Sequence, residues 1–225
     1  MDIDAADYYV EQAAFWSIHL KAPDADASAS LYNQMADEAT QAFWGAFRDL
    51  CSLERAEGDI VEIGEDGRIG AVWAEVLLEH RADDGRFRPS TTADVPDIGD
   101  RRVLSRVVVT CGARLQLPNG RVRELPDSLH FQYDSDLPSA IGEPAIPRSP
   151  TAIVAVEVDP WLDAPWNLRG RVDNRDVAAL NRPRLEQALR KWESAVGSSI
   201  SEVSSVPYPD LVDRYGFRPG IQSPK

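Results

Sequence analysis

The stretch Val103-Leu104-Ser105-Arg106-Val107-Val108-Val109-Thr110-Cys111-Gly112-Ala113-Arg114-Leu115-Gln116-Leu117, followed by Pro118-Asn119-Gly120, decides how this chain is read. Side chains alternate faces along an extended strand, so Val103, Val107, Val109, Cys111, Ala113, Leu115 and Leu117 line one side and form a core-facing strand. Asn119-Gly120 tolerates the positive φ angles of a tight hairpin turn, so the chain is expected to reverse there. A two-residue turn would set Leu117 opposite Val122 and Leu115 opposite Glu124, whereas the apolar residues further along are Leu129, Phe131 and Tyr133. A strand of period two cannot exchange faces without an extra residue, which predicts a bulge or break at Leu125-Pro126-Asp127.

Outward from this hairpin, Thr151 to Val158 reads as a second buried strand ended by Asp159-Pro160. Ile60 to Ile63 and Ile69 to His80 read as strands flanking the turn Gly64-Glu65-Asp66-Gly67. The second of these has a composition that also suits a helix; the preceding turn and the following Asp83-Asp84-Gly85 favour strand.

Three helices are expected. Residues 3–21 carry Tyr8, Tyr9, Gln12, Ala13, Phe15, Trp16, His19 and Leu20 at helical spacing behind an acidic start. Residues 28–56 repeat apolar side chains at i, i+3 and i+4 from Leu31 to Leu53. A last helix is expected from Asn181-Pro183, with a stripe of Leu185, Ala188, Leu189, Trp192, Ala195 and Val196, a Glu186–Arg190 pair one turn apart, and Gly197 as its stop. The expected class is α+β: two N-terminal helices, a roughly five-stranded, mainly antiparallel sheet, and a C-terminal helix packed on it. We read residues 1–225 as a single domain, with long loops at about 82–100 and 134–150 and a loop-like tail at about 198–225.

Composition narrows the function. The formal net charge is −13, and the first hundred residues hold 22 acids against 7 bases, more than the whole excess. A negative field of this kind disfavours nucleic acid and anionic membrane and favours a basic protein partner. No apolar run reaches the roughly 20 residues that span a bilayer, and an acidic N-terminus is unlike a secretory signal, so the expected location is cytoplasmic. Cys51 and Cys111 have no partner at metal-ligand spacing and read as buried thiols.

Motifs of catalysis are missing. No nucleophile elbow, phosphate-binding loop, dinucleotide fingerprint or zinc-helix pair occurs. His19, His80 and His130 read as structural or surface histidines; His80 and His130 could approach each other only if their strands were neighbours. No catalytic residue, metal or cofactor is therefore assigned, and the reading leans away from an enzyme. The basic segment Arg169, Arg171, Arg175, Arg182, Arg184, Arg190 and Lys191 is interleaved with acids, and pairing with the acidic N-terminal half accounts for it.

The expected function is an acidic protein–protein interaction module, such as an immunity or inhibitor protein bound to a basic partner. Its expected contacts are Asp83, Asp84, Asp94, Asp97 and Asp100 in the long loop. Two alternatives stand beside it. One is an enzyme or ligand binder with a pocket between helices and sheet, lined by Trp16, Phe43, Phe47, Trp73 and His130. The other is a subunit of a larger assembly anchored by Trp161 and Trp166, although plugging the core is the favoured reading of these two residues.

Overall fold

Among the described residues of a computed structural model of the chain, eight strands form one antiparallel sheet that is backed by two helices. The structure describes residues 13–23, 28–81, 85–90, 98, 101–146, 148–157, 160–161, 174–205 and 208–218. In chain order the elements are β1 (Ala13–His19), α1 (Ala29–Phe47), β2 (Cys51–Ile63), β3 (Ile69–His80), β4 (Phe87–Pro89), β5 (Arg102–Gln116), β6 (Val122–Asp134), β7 (Thr151–Glu157), α2 (Arg175–Val196) and β8 (Glu202–Ser205). A 3-10 turn at Pro209–Leu211 leads into a small hairpin of β9 (Val212–Asp213) and β10 (Gly216–Phe217). The large sheet runs β4-β3-β2-β5-β6-β7-β1-β8.

This corrects the expected class of two N-terminal helices and a five-stranded sheet. The segment read as a first helix contains β1, where Ala14, Trp16 and Ile18 are fully buried and alternate with Phe15, Ser17 and His19. Its aromatic residues suit a strand as well as a helix, and antiparallel pairing to both β7 and β8 settles the choice. The second expected helix ends at Phe47, with Arg48 as its cap, and the chain enters β2 at Cys51. Leu50, Cys51 and Leu53 fit either period; Leu50 falls in the turn before β2, while Cys51 pairs across from Ala113 and Leu53 from Cys111, so the sheet claims these two. The last helix begins near Asn174, ahead of Pro183, and carries that proline in its interior at the cost of the bond its N–H would make to the Ala179 carbonyl. Short strands β4 and β8 to β10 fall in segments read as loop and tail.

The central hairpin reverses where expected, with a different register. The Leu117 N–H donates to the Arg121 carbonyl and the Gly120 N–H to the Leu117 carbonyl, closing a three-residue loop in which Gly120 takes φ +78°. Arg123, not Glu124, therefore faces Leu115. The loop itself places odd residues of β6 on the core face, so no exchange of faces is needed further on. A break still occurs: Cys111 faces Leu129 while Ala113 faces Leu125, leaving Pro126, Asp127 and Ser128 opposite Gly112. Two inserted residues preserve the alternation where one would have inverted it. Asp127 takes φ +50° in this bulge, and the Ser128 hydroxyl bridges it, accepting the Ala113 N–H and donating to the Leu125 carbonyl.

Helices and sheet meet in one main core. Val107, Val109, Cys111 and Ala113 of β5 are fully buried there with Phe131, Trp192 and Leu189, and Val103 is buried in a smaller cluster with Tyr32 and Ile69. Phe43 of α1 stacks on Phe47 (5.1 Å) and on Phe131 (4.6 Å). Two asparagines fasten the helices to opposite ends of β5. Asn33 of α1 accepts the Leu104 N–H and donates to the Arg102 carbonyl, beyond the last β5–β6 pair at Arg106 and Asp134. Asn181 of α2 accepts the Gln116 N–H and donates to the Gln116 carbonyl, beyond the last β2–β5 pair at Cys51 and Ala113. Each amide continues the ladder where the neighbouring strand has ended, satisfying backbone groups that burial would otherwise leave unpaired.

Candidate functional site

Asp83, Asp84, Asp94, Asp97, Asp100 and Trp166 lie outside the described residues. Trp161 is fully buried in the main core, so its ring fills interior space and presents no surface to a partner. The pocket imagined between helices and sheet is occupied by its own proposed lining. Trp16, Phe43 and Phe47 are fully buried, and Trp16 is held by Phe217 edge-on at 5.8 Å and by an indole N–H bond to the Asp213 carbonyl. Trp73 is partly exposed with the Arg102 guanidinium 5.9 Å from its ring, and His130 points to the face of β6 opposite Phe131.

His80 and His130 are kept apart by two intervening strands, β2 and β5. His80 sits between the Trp44 and Phe87 rings at 5.3 and 5.1 Å, and His19 approaches Thr151 and Glu202. Among the described residues no three histidine, cysteine or acidic side chains are gathered as a metal site requires. Both cysteines are free and buried.

What the structure does bring together is acid. Alternation along β2 sends Ala56, Gly58 and Ile60 into the core and Arg55, Glu57 and Asp59 to the face away from the helices. Leu77 of β3 stands opposite Glu57 and is 47% exposed, with Glu79 two residues beyond on the same face. Glu54, in a bulge of β2, accepts the Asp127 N–H at 3.1 Å, and Asp59 accepts the N–H of Glu75, which occupies a bulge of β3 at φ +54°. Glu54, Glu57, Asp59, Glu75, Glu79 and Asp127 thus share this region with two arginines. Arg55 meets Glu57 at 2.5 Å and Arg106 meets Asp59 at 3.8 Å. Backbone N–H groups hold the Glu54 and Asp59 carboxylates, Arg55 pairs with Glu57, and the Ser90 hydroxyl donates to Glu79, so these four are anchored on the sheet.

The alternation of Glu57 and Asp59 with Ala56, Gly58 and Ile60 is visible in the sequence, but the apolar spacing of the preceding helix also fits residues up to 56 and masks its start. Of the basic segment, Arg169 and Arg171 lie outside the described residues. Arg190 donates from Nε to Glu186 and forms an ion pair with it within its own helix, as the one-turn spacing suggested, and Arg184 donates to the carbonyls of Arg114 and Asp49 rather than to acidic side chains.

His130 gives the acidic face a pH response. Its Nε2 is buried and lies 3.6 Å from Asp127 Oδ1, and burial holds the imidazole below the usual histidine range against the opposing pull of Asp127. A depressed folded pKa means that the unfolded chain binds the proton more readily. The contribution is therefore present above the unfolded value of about 6.5 and is lost as pH falls through it toward the folded value. Urea midpoints taken from about pH 8 down to about pH 5 should fall more steeply for the parent than for His130→Gln; equal slopes would show that the burial does not act on stability.

A scan against protein-family models finds no match to the chain, and a search of the curated proteins finds none. No helix among the described residues is long and apolar enough to cross a membrane.

Proposed function

We propose that the chain is a protein-binding module that offers the acidic face of β2 and β3 to a basic partner, in the manner of an immunity or inhibitor protein neutralising a basic enzyme. The observation that carries this reading is the gathering of Glu54, Glu57, Asp59, Glu75 and Glu79 around the exposed Leu77, on strands rather than on a loop. Aligned carboxylates around an apolar centre combine long-range steering with a short-range anchor, which gives fast and salt-sensitive association. Two free thiols and the overall negative charge support a cytoplasmic setting.

Tagged chain and a Glu57→Lys, Glu75→Lys, Glu79→Lys variant, both checked for native circular dichroism, are compared as baits in extract of the native host. The expected result is a basic protein retained by the parent, released as salt rises, and bound at least about tenfold more weakly by the variant. Retention of the same partner by both baits with no salt dependence would refute the acidic face as the contact.

A further inference from the structure

On the other side of the molecule an open groove of about 510 Å³ runs between α2 and the β9–β10 hairpin. Its character departs from that of the whole chain, because three arginines, Arg182, Arg190 and Arg214, line it around Tyr215. The Arg190 guanidinium lies over the Tyr215 ring at 3.8 Å from its centroid and that of Arg214 at 5.4 Å. Each is held by one edge. Arg190 donates from Nε to Glu186 Oε1 at 3.0 Å with its Nη2 2.9 Å from the same oxygen, and Arg214 donates from Nε and Nη2 to Glu193 Oε1. Glu193 is itself fixed, accepting the Tyr215 hydroxyl at 2.6 Å and the Ile200 N–H at 2.8 Å.

A guanidinium has five N–H donors in a rigid fork, and these contacts use the Nε side of each. The Nη1 groups of Arg190 and Arg214 keep their donors, on side chains whose rotamers are already set by a carboxylate and by stacking on the tyrosine. An anion entering the groove therefore meets two oriented cations without having to order them. Glu186 and Glu193 are each matched to an arginine, and Asp213 turns a side-chain oxygen back to the Tyr215 N–H, so the acids of the wall are engaged. Pro183, Ala179 and Phe217 supply an apolar wall, and the volume suits a small organic molecule.

We propose that this groove binds a small organic phosphate, with Arg190 and Arg214 donating to the phosphate oxygens and the apolar wall taking the organic part. Phosphate is preferred to carboxylate because its tetrahedral oxygens can be shared by two separate forks, whereas one planar carboxylate is matched by one. This site is independent of the acidic face.

The test is an NMR titration of the full chain with phenyl phosphate at constant ionic strength, with benzoate as the carboxylate control, on the parent and on Arg190→Gln, Arg190→Lys and Arg214→Gln. Both arginines are about half exposed, so the variants should keep the parent's backbone spectrum outside the groove. Saturable shifts of the Arg190 and Arg214 side-chain resonances by phenyl phosphate are expected. Binding should weaken at least about tenfold in both glutamine variants and be only partly kept in Arg190→Lys, which retains the charge but loses the fork. Absence of saturation, equal affinity in parent and glutamine variants, or benzoate binding as tightly as phenyl phosphate would each overturn the proposal.

Discussion

Replacing Phe43 with alanine should destabilise the chain by about 4 kcal/mol, measured as the change in urea midpoint at constant slope. Phe43 is fully buried and stacks on a neighbour in its own helix, Phe47, and on a residue of the sheet, Phe131. Truncation removes the transfer energy of the ring and opens a cavity between two layers that are each held rigidly, one by helical and one by ladder hydrogen bonds, so little relaxation can refill it. The same measurement on Val122→Ala, a residue 60% exposed near the hairpin turn, should move stability by less than about 0.5 kcal/mol. A small effect for Phe43 would mean that α1 does not seal the sheet as described.

Asn181→Ala should cost about 3 kcal/mol, seen as a fall in thermal midpoint of about 6–12 °C. The side chain is fully buried; its Oδ1 accepts from the Gln116 N–H and from Arg184, and its Nδ2 donates to the carbonyls of Gln116 and Val177. Alanine removes a fully buried amide that makes four hydrogen bonds and leaves the Val177 carbonyl and both Gln116 backbone groups without that partner, and each bond lost at a buried position costs more than a typical bond contributes. Asn181→Asp should fail to rescue, because a carboxylate cannot donate to the Gln116 carbonyl and carries a charge into the interior. If aspartate restored full stability, the amide would not be acting as a substitute strand.

These two positions bear differently on what could be read in advance. Phe43 lay in a periodic apolar stripe, and its burial followed from that spacing. Asn181 reads locally as the start of a helix, because asparagine before proline resembles a capping sequence. Its actual partner, Gln116, is 65 residues away, and no local pattern contains that bond. The same holds for the acidic surface. Loop aspartates drew attention because loops present charge to solvent, while Glu57 and Asp59 became a surface only when β2 paired on both sides and turned its even residues inward.

The hairpin shows the division at finer grain. Asn119-Gly120 was enough to locate the reversal, and Pro126 enough to locate the break, because glycine and proline restrict φ in their own right. The loop length and the number of inserted residues were not available locally. They follow from which carbonyl Leu117 donates to, and from Ser128 and Glu54 being present to occupy the backbone groups around the break.

By itself the amino-acid order determined the burial of β5 and β7, the two turns, the course of most of α1 and α2, and the excess of negative charge, since each depends on the steric or hydrophobic character of residues close together in the chain. Tertiary structure alone decided that residues 13–19 form a strand, that eight strands of the described residues join one sheet, that Asn33 and Asn181 complete its ladder, and which charges share a face. Those outcomes rest on hydrogen bonds and packing between residues tens to nearly two hundred positions apart, and short segments whose apolar spacing fits both a helix and a strand take the form that such distant partners satisfy.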